Sequence, residues 1–285
     1  MTPKTLIIRT AGTNCDRELA HAFEVAGATA VTIHLNRLMD EPYLLEEVDL
    51  IGLPGGFSYG DDIAAGRIFA NQIRHRLFGP LCRAVRRGVP VIGICNGFQV
   101  LVKLGLLPDP PDDDDAERAQ QQVTLGQNTN GRFIDCWVDL TVDPQSNCIW
   151  TRGLDRIELP IAHGEGRFVV RSPDVLDRLR ANGQVVLRYT RQTDFGEQQD
   201  LARGGNPNGS MDDIAGICDR SGLVLGLMPH PERYTDYTHH PQWSRERPNS
   251  MPHGLRMIRL AVEYVRDLAK PDISDPPVKG GVASS

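Results

Sequence analysis

Over its first hundred residues the chain alternates between two textures. Short β-rich apolar runs, "TLIIR", "AVTIHL", "DLIGLP" and "VPVIGI", are separated by stretches with helical spacing, such as "CDRELAHAFEVAG" and "RIFANQIRHRLFGPLCRAVRRG". Strands alternating with helices predict right-handed crossovers and a mostly parallel open sheet with helices on both faces, an α/β fold. The unbroken apolar run "VPVIGI" suits a central strand covered on both sides. From Arg132 the texture shifts to strands, with "RFIDCWVDLTV", "QVVLRYT", "IAGICD" and "LVLGLMP". A last amphipathic pattern, "GLRMIRLAVEYVRDLA", sets Leu255, Ile258, Val262 and Val265 on one stripe, as a docking helix would.

Two segments fall outside this pattern. "DPPDDDDAERAQQQ", residues 109–122, has six acids, one arginine and almost nothing to bury, so an exposed loop insertion is expected. The end, residues 269–285, is rich in Pro, Gly and Ser and reads as a disordered tail. A single domain over 1–268 is the simplest division.

Composition narrows the function classes. The 285 residues are 40% hydrophobic and 24% charged. No apolar run is long enough for a transmembrane helix and the N-terminus lacks signal-peptide architecture, so a cytoplasmic protein is expected, with no membrane partner. A net charge of −6 argues against a nucleic-acid partner. The basic cluster Arg83 to Gly88 reads as the solvated end of a helix. Six scattered cysteines without a CxxC pair suggest reduced thiols rather than a disulfide framework or a zinc site, and no metal is expected.

One cysteine stands apart. In "VIGICNGFQVL" a strand meets a helix at Cys95, with Gly93 and Gly97 two positions to either side. That is the pattern of a nucleophile elbow, whose tight turn leaves room only for small neighbours. The helix beginning at Asn96 would aim its N-terminus at the thiol, and the Asn96 N–H would face a developing oxyanion. A cysteine nucleophile needs a base and something to orient it. "LVLGLMPHPER" supplies both at the end of a late strand: His230, stiffened by two prolines, and Glu232 two residues on. If this segment stays extended, the two side chains point the same way. "LPGGFSYGDD" ends another strand in Gly55 and Gly56, which would free a second oxyanion donor at Gly56.

These pieces, in this order, resemble the class I (triad) glutamine amidotransferases, whose sheet is flavodoxin-like. "GTNCDRE", "LPGGFSYGDDIAAG", "GICNGFQVL", "IAHGEGRF", "GNPNGSMDDIAGI" and "GLMPHPER" look like signature segments of the glutaminase subunits of phosphoribosylformylglycinamidine synthase. The resemblance implies Cys95, His230 and Glu232 as the catalytic triad and Gly56 and Asn96 as the oxyanion hole. It implies substrate contacts from Gly55, Gln99, His163, Glu165, Asn206, Asn208 and Ser210. It also implies that L-glutamine yields ammonia for a synthetase subunit of de novo purine biosynthesis, in a complex with a small third subunit. ATP and Mg²⁺ would be used by the synthetase, since this chain has no P-loop and needs no cofactor of its own. "YTDYTHHPQWSRERPNSMP", residues 234–252, is longer than a minimal member needs and is expected to be a lid or partner-facing loop. Another class I amidotransferase subunit, or a catalytically silent amidotransferase-like shell, are the alternatives.

Overall fold

The computed structural model describes residues 1–61, 64–111, 114, 120–190, 205–245 and 251–269. The first half is built from β1 (Lys4–Arg9), α1 (Asp16–Val25), β2 (Thr29–His34), α2 (Leu35–Asp40), β3 (Leu50–Leu53), α3 (Arg67–Arg76), α4 (Phe78–Arg86), β4 (Val91–Ile94) and α5 (Asn96–Leu104). The second half adds β5 (Val123–Gly126), β6 (Ile134–Val142), β7 (Arg156–His163), β8 (Arg167–Val170), α6 (Pro173–Ala181), β9 (Val185–Thr190), β10 (Ile214–Cys218), β11 (Val224–Leu227) and α7 (His253–Leu268).

A nine-stranded sheet in the order β2-β1-β3-β4-β11-β10-β9-β6-β7 forms the core, beside a small β5–β8 antiparallel pair. From β2 through β11 every pairing is parallel, as the strand–helix alternation predicts. From β11 onward the pairings are antiparallel, which the strand-rich second half builds without crossover helices.

The glycines of the central strands show how helices cover both faces. A Cβ on Gly52 would meet Leu19 of α1 at 2.9 Å, whereas one on Gly93 would meet Leu101 of α5 at 2.5 Å. Gly93 is in register with Leu53, the residue after Gly52, so the two glycines look to opposite faces. α1 and α5 therefore sandwich the sheet, and β4 is buried throughout. Leu255, Ile258 and Val262 of α7 are buried as their spacing predicts, with Val265 packed partly against the core.

Two expectations need correction. The helical stretch from Arg67 breaks at Leu77 into α3 and α4, because Pro80 has no N–H to continue the hydrogen-bond ladder. The basic cluster ends α4, but its arginines are not merely solvated. Arg83 donates to Asp114 at 2.6 Å, Arg86 bonds the same carboxylate, and Arg87 donates to Leu45 O at 2.8 Å.

Asp114 thus ties one point of the acidic insertion to α4. Residues 112, 113 and 115–119 of that insertion, and the tail from 270, lie outside the described residues. All six cysteines are free thiols. No helix among the described residues is long and apolar enough to cross a membrane.

Candidate active site

The parallel strands deliver the site at their C-terminal ends, where open α/β sheets place ligands. Cys95 follows β4 directly and caps α5 with φ 51° and ψ −103°, a conformation that costs a non-glycine residue of order 1–3 kcal/mol. The flanking glycines are required by contact. A Cβ on Gly97 would stand 2.0 Å from Leu53 O, and one on Gly93 would stand 2.7 Å from Gly97 O. The thiol lies 3.8 Å from Ala162 O and only 6% of Cys95 is exposed.

His230 follows β11, the neighbour of β4, and its N–H donates to Pro160 O at 2.8 Å. The segment does not stay extended. Pro231–Arg233 form a short 3-10 turn, and that turn brings Glu232 Oε1 to 2.6 Å from His230 Nδ1. Both side chains are buried. Nδ1 is thereby taken, and Nε2 has no hydrogen-bond partner within ordinary geometry among the described residues. Burial disfavours the imidazolium. The charge of Glu232, the hydrogen bond that His230 Nδ1 donates to it and the nearby Cys15 and Cys95 sulfurs outweigh it, holding the His230 pKa well above its ordinary value.

Gly56 has φ 143°, and any Cβ would strike Asn14 N at 2.7 Å. The Gly56 and Asn96 N–H groups both lack an acceptor among the described residues. Gly55 is placed differently: a Cβ there would meet His230 Cε1 at 2.8 Å, so its bareness admits the imidazole.

A cavity of about 440 Å³ joins these groups, within the size range of small-molecule sites. Its wall includes Cys95, His230, Gly56, Gln99, His163 and Glu165, so six of the twelve sequence candidates line one space. Gln99 has both ends of its amide engaged by protein, with Oε1 accepting from Asn96 Nδ2 at 3.0 Å and Nε2 donating to Glu165 O at 2.6 Å.

His163 ends β7. Asn128 Nδ2 donates to Arg132 O and His163 O, which turns Asn128 Oδ1 toward His163 Nδ1 at 3.1 Å. That oxygen can only accept, so Nδ1 carries the proton and Nε2 keeps its lone pair. Burial, with His230 nearby, lowers the His163 pKa to about 4.

Asn206, Asn208 and Ser210 are not in the cavity wall. They brace the turn behind it: Asn208 Nδ2 donates to Gly166 O at 3.0 Å, Ser210 Oγ accepts from Phe168 N at 3.0 Å, and Asn206 closes their own loop.

The sequence reading missed several wall residues, among them Cys15, Asp61, Phe57, Phe133 and Arg233. Cys15 lies 4.0 Å from His230 Nδ1 and accepts from Arg233 Nη2 at 3.1 Å. Burial raises its pKa. Cys15 and Arg233 stand in "GTNC" and "PHPER", but nothing in those strings shows that the two segments meet. In the 234–252 segment, His240 is buried against Trp137 with ring centroids 4.7 Å apart. Tyr237 and Trp243 remain exposed as a ring pair, and residues 246–250 lie outside the described set.

Comparison with known proteins supplies the family. Residues 2–265 match the family model of the CobB/CobQ-like glutamine amidotransferase domain. Phosphoribosylformylglycinamidine synthase subunit PurQ of Dehalococcoides mccartyi is 43% identical over 93% of this chain and 98% of its own. The protein of the same name from Methanococcus maripaludis strain C7 is 39% identical over 92% of this chain and 97% of its own. A chain in the structure of PurLQS from Thermotoga maritima superposes with a TM-score of 0.68 at 32% identity, covering 93% of this chain and all of that one. The chain belongs to the CobB/CobQ-like glutamine amidotransferase family and, within it, to the glutaminase subunits of phosphoribosylformylglycinamidine synthase.

Proposed function

We propose that the cavity hydrolyses the side-chain amide of L-glutamine and that the ammonia serves a synthetase subunit. The observation that carries this reading is a thiol held on a strained strand–helix turn beside a buried His230–Glu232 pair.

In this mechanism His230 takes the Cys95 proton and the sulfur attacks the amide carbon. The oxyanion of the tetrahedral intermediate receives the N–H groups of Gly56 and Asn96. The imidazolium, stabilised by Glu232, returns its proton to the leaving nitrogen, and ammonia departs as the C–N bond breaks. Water then attacks the γ-glutamyl thioester with His230 as base, releasing glutamate and restoring the thiol. His163 and Glu165 contact the amino-acid end of the substrate. Gln99, Gly55, Asn206, Asn208 and Ser210 act one step removed, by holding the groups that touch it.

PurLQS of Thermotoga maritima supports a complex with a synthetase and a small third subunit. In that complex formylglycinamide ribonucleotide would be aminated to formylglycinamidine ribonucleotide at the synthetase, which would use ATP and Mg²⁺. Acid quenching with glutamine, followed by peptide mass spectrometry, tests the covalent step. A γ-glutamyl adduct on the Cys95 peptide is expected. An adduct confined to another cysteine, with Cys95→Ala still turning over, contradicts the mechanism.

A further inference from the structure

Cys15, absent from the sequence candidates, touches two parts of the mechanism at once. It caps the start of α1 inside the cavity wall and is buried. Its thiol donates to Asn14 Oδ1 at 3.1 Å, which leaves the sulfur lone pairs for the turn after β11. There Arg233 Nη2 donates to Sγ at 3.1 Å, and His230 Nδ1 stands 4.0 Å away, at the outer edge of a hydrogen bond to sulfur. Cys15 Sγ, a ring nitrogen of His230 and a carboxylate oxygen of Glu232 all lie within 4.8 Å of one another.

The second set of contacts runs through the backbone. Asn14 N and Cys15 N both donate to Gly55 O, at 3.4 and 3.3 Å, and Phe57 N donates to Gly12 O at 2.9 Å. Thr13 and Gly56 pair between them as an isolated antiparallel bridge. The Gly55–Gly56 peptide is trans, so its N–H points away from the carbonyl that the Gly12–Cys15 turn holds. The Gly56 N–H is thereby left for the cavity that Gly56 lines. A Cβ on Gly55 would stand 2.8 Å from His230 Cε1 and 3.3 Å from Cys15 Sγ, so the sulfur, the imidazole and this peptide meet in one packed contact.

Resting on the glutaminase reading, we infer that Cys15 is a positioning residue for the reaction. Through Sγ it holds His230 and Arg233, and through its N–H it holds the Gly55–Gly56 peptide. It thus sets the base and one oxyanion donor in a fixed relation before the substrate arrives. Both of those groups act on the transition state, so loss of Cys15 falls on kcat rather than on KM.

The groups facing the His230 ring are Cys15 before α1, Cys95 after β4, His163 at the end of β7 and Glu232 in its own turn. Burial disfavours the imidazolium, whereas Glu232, Cys15 and Cys95 favour it. Removing the Cys15 sulfur therefore moves the pH–rate profile to lower pH, a change that a purely structural brace would not produce.

The test uses the chain assembled with its synthetase subunits and follows ammonia release from glutamine against pH. Cys15→Ala should lower kcat by roughly 10-fold, the worth of one hydrogen-bonding partner, with KM nearly unchanged and the profile displaced to lower pH. Cys15→Ser keeps a donor for Asn14 Oδ1 and an acceptor for Arg233, but its shorter C–O bond falls short of Nδ1. It should lie between wild type and Cys15→Ala in both kcat and profile, and it covers the case that Cys15→Ala folds poorly. A lower kcat with the profile in its wild-type place would reduce Cys15 to packing and overturn the inference. A raised KM with kcat unchanged, or wild-type kinetics in both variants, would overturn it as well while leaving the glutaminase reading intact. A wild-type complex that releases no ammonia from glutamine would overturn the glutaminase reading itself.

Discussion

His230 Nδ1 and Glu232 Oε1 stand 2.6 Å apart with both side chains buried, although only one residue separates them in the chain. The 3-10 turn at Pro231–Arg233 makes the contact, and the contact leaves Nε2 as the ring nitrogen without a partner among the described residues. Glu232→Gln should cut glutaminase kcat by about 10²- to 10⁴-fold while leaving the fold in place. Without the carboxylate charge, burial dominates and the His230 pKa falls, so the pH–rate profile should move to lower pH. The wild-type shift also bears on stability. A raised folded-state pKa contributes stability that is fully present below the unfolded value of about 6.5 and is lost as pH rises through the folded pKa. Melting temperatures of wild type and Glu232→Gln should therefore converge as pH increases toward the alkaline range.

His163 carries the opposite sign. Its pKa of about 4 lies below the unfolded value, so the unfolded chain binds more protons between the two. This side chain contributes about 3 kcal/mol of stability above pH 6.5, lost progressively as pH falls toward 4. Urea titrations at pH 7 and pH 5 should show that loss in the wild type and a smaller one in His163→Asn.

The strain at Cys95 separates function from stability. Cys95→Ala and Cys95→Gly should both abolish turnover, yet glycine accepts φ 51° without penalty. Cys95→Gly should be more stable than Cys95→Ala by about 1 kcal/mol. Gly97→Ala should do the reverse and cost about 3 kcal/mol or more, since its Cβ would meet the Leu53 backbone. Denaturant midpoints of the three variants check both statements.

Cys95, His230 and Glu232 stood out in the sequence because each lies near a strand end flagged by glycine or proline, which leave a local signal. It did not carry β7, whose "RIELPIAH" holds Pro160 in mid-run and so reads poorly as a strand. β7 is tolerated because it lies at the sheet edge, paired only with β6. β5 and β8 escaped because only alternate positions of their four residues are buried, whereas the equally short β3, β4 and β11 are buried throughout and read as apolar runs. Asp61 was illegible for another reason. Its place in the site depends on left-handed backbone at Tyr59, Gly60 and Asp61, which folds "SYGD" back toward Asn96. The extended reading of "PHPE" reached the right pair through the wrong backbone, because period-two alternation and a 3-10 turn both allow residues two apart to meet.

Trp243 and Tyr237 expose a ring pair on a segment whose neighbour His240 is anchored to Trp137 and Glu158. None of them lines the cavity. We propose that this surface faces the synthetase. Replacing both rings with serine, or deleting residues 238–248, should leave thioester formation on Cys95 near the wild-type level and lower ammonia transfer to the synthetase. If neither glutaminase nor coupled activity moves, the segment has no part in coupling.

The most direct test is ammonia release from glutamine by the purified chain, with and without its synthetase subunits, in wild type and Cys95→Ala. Turnover that is low alone, rises with the partners and vanishes in Cys95→Ala is the predicted result. Turnover that survives Cys95→Ala would contradict the account, because the strained turn would then hold no nucleophile.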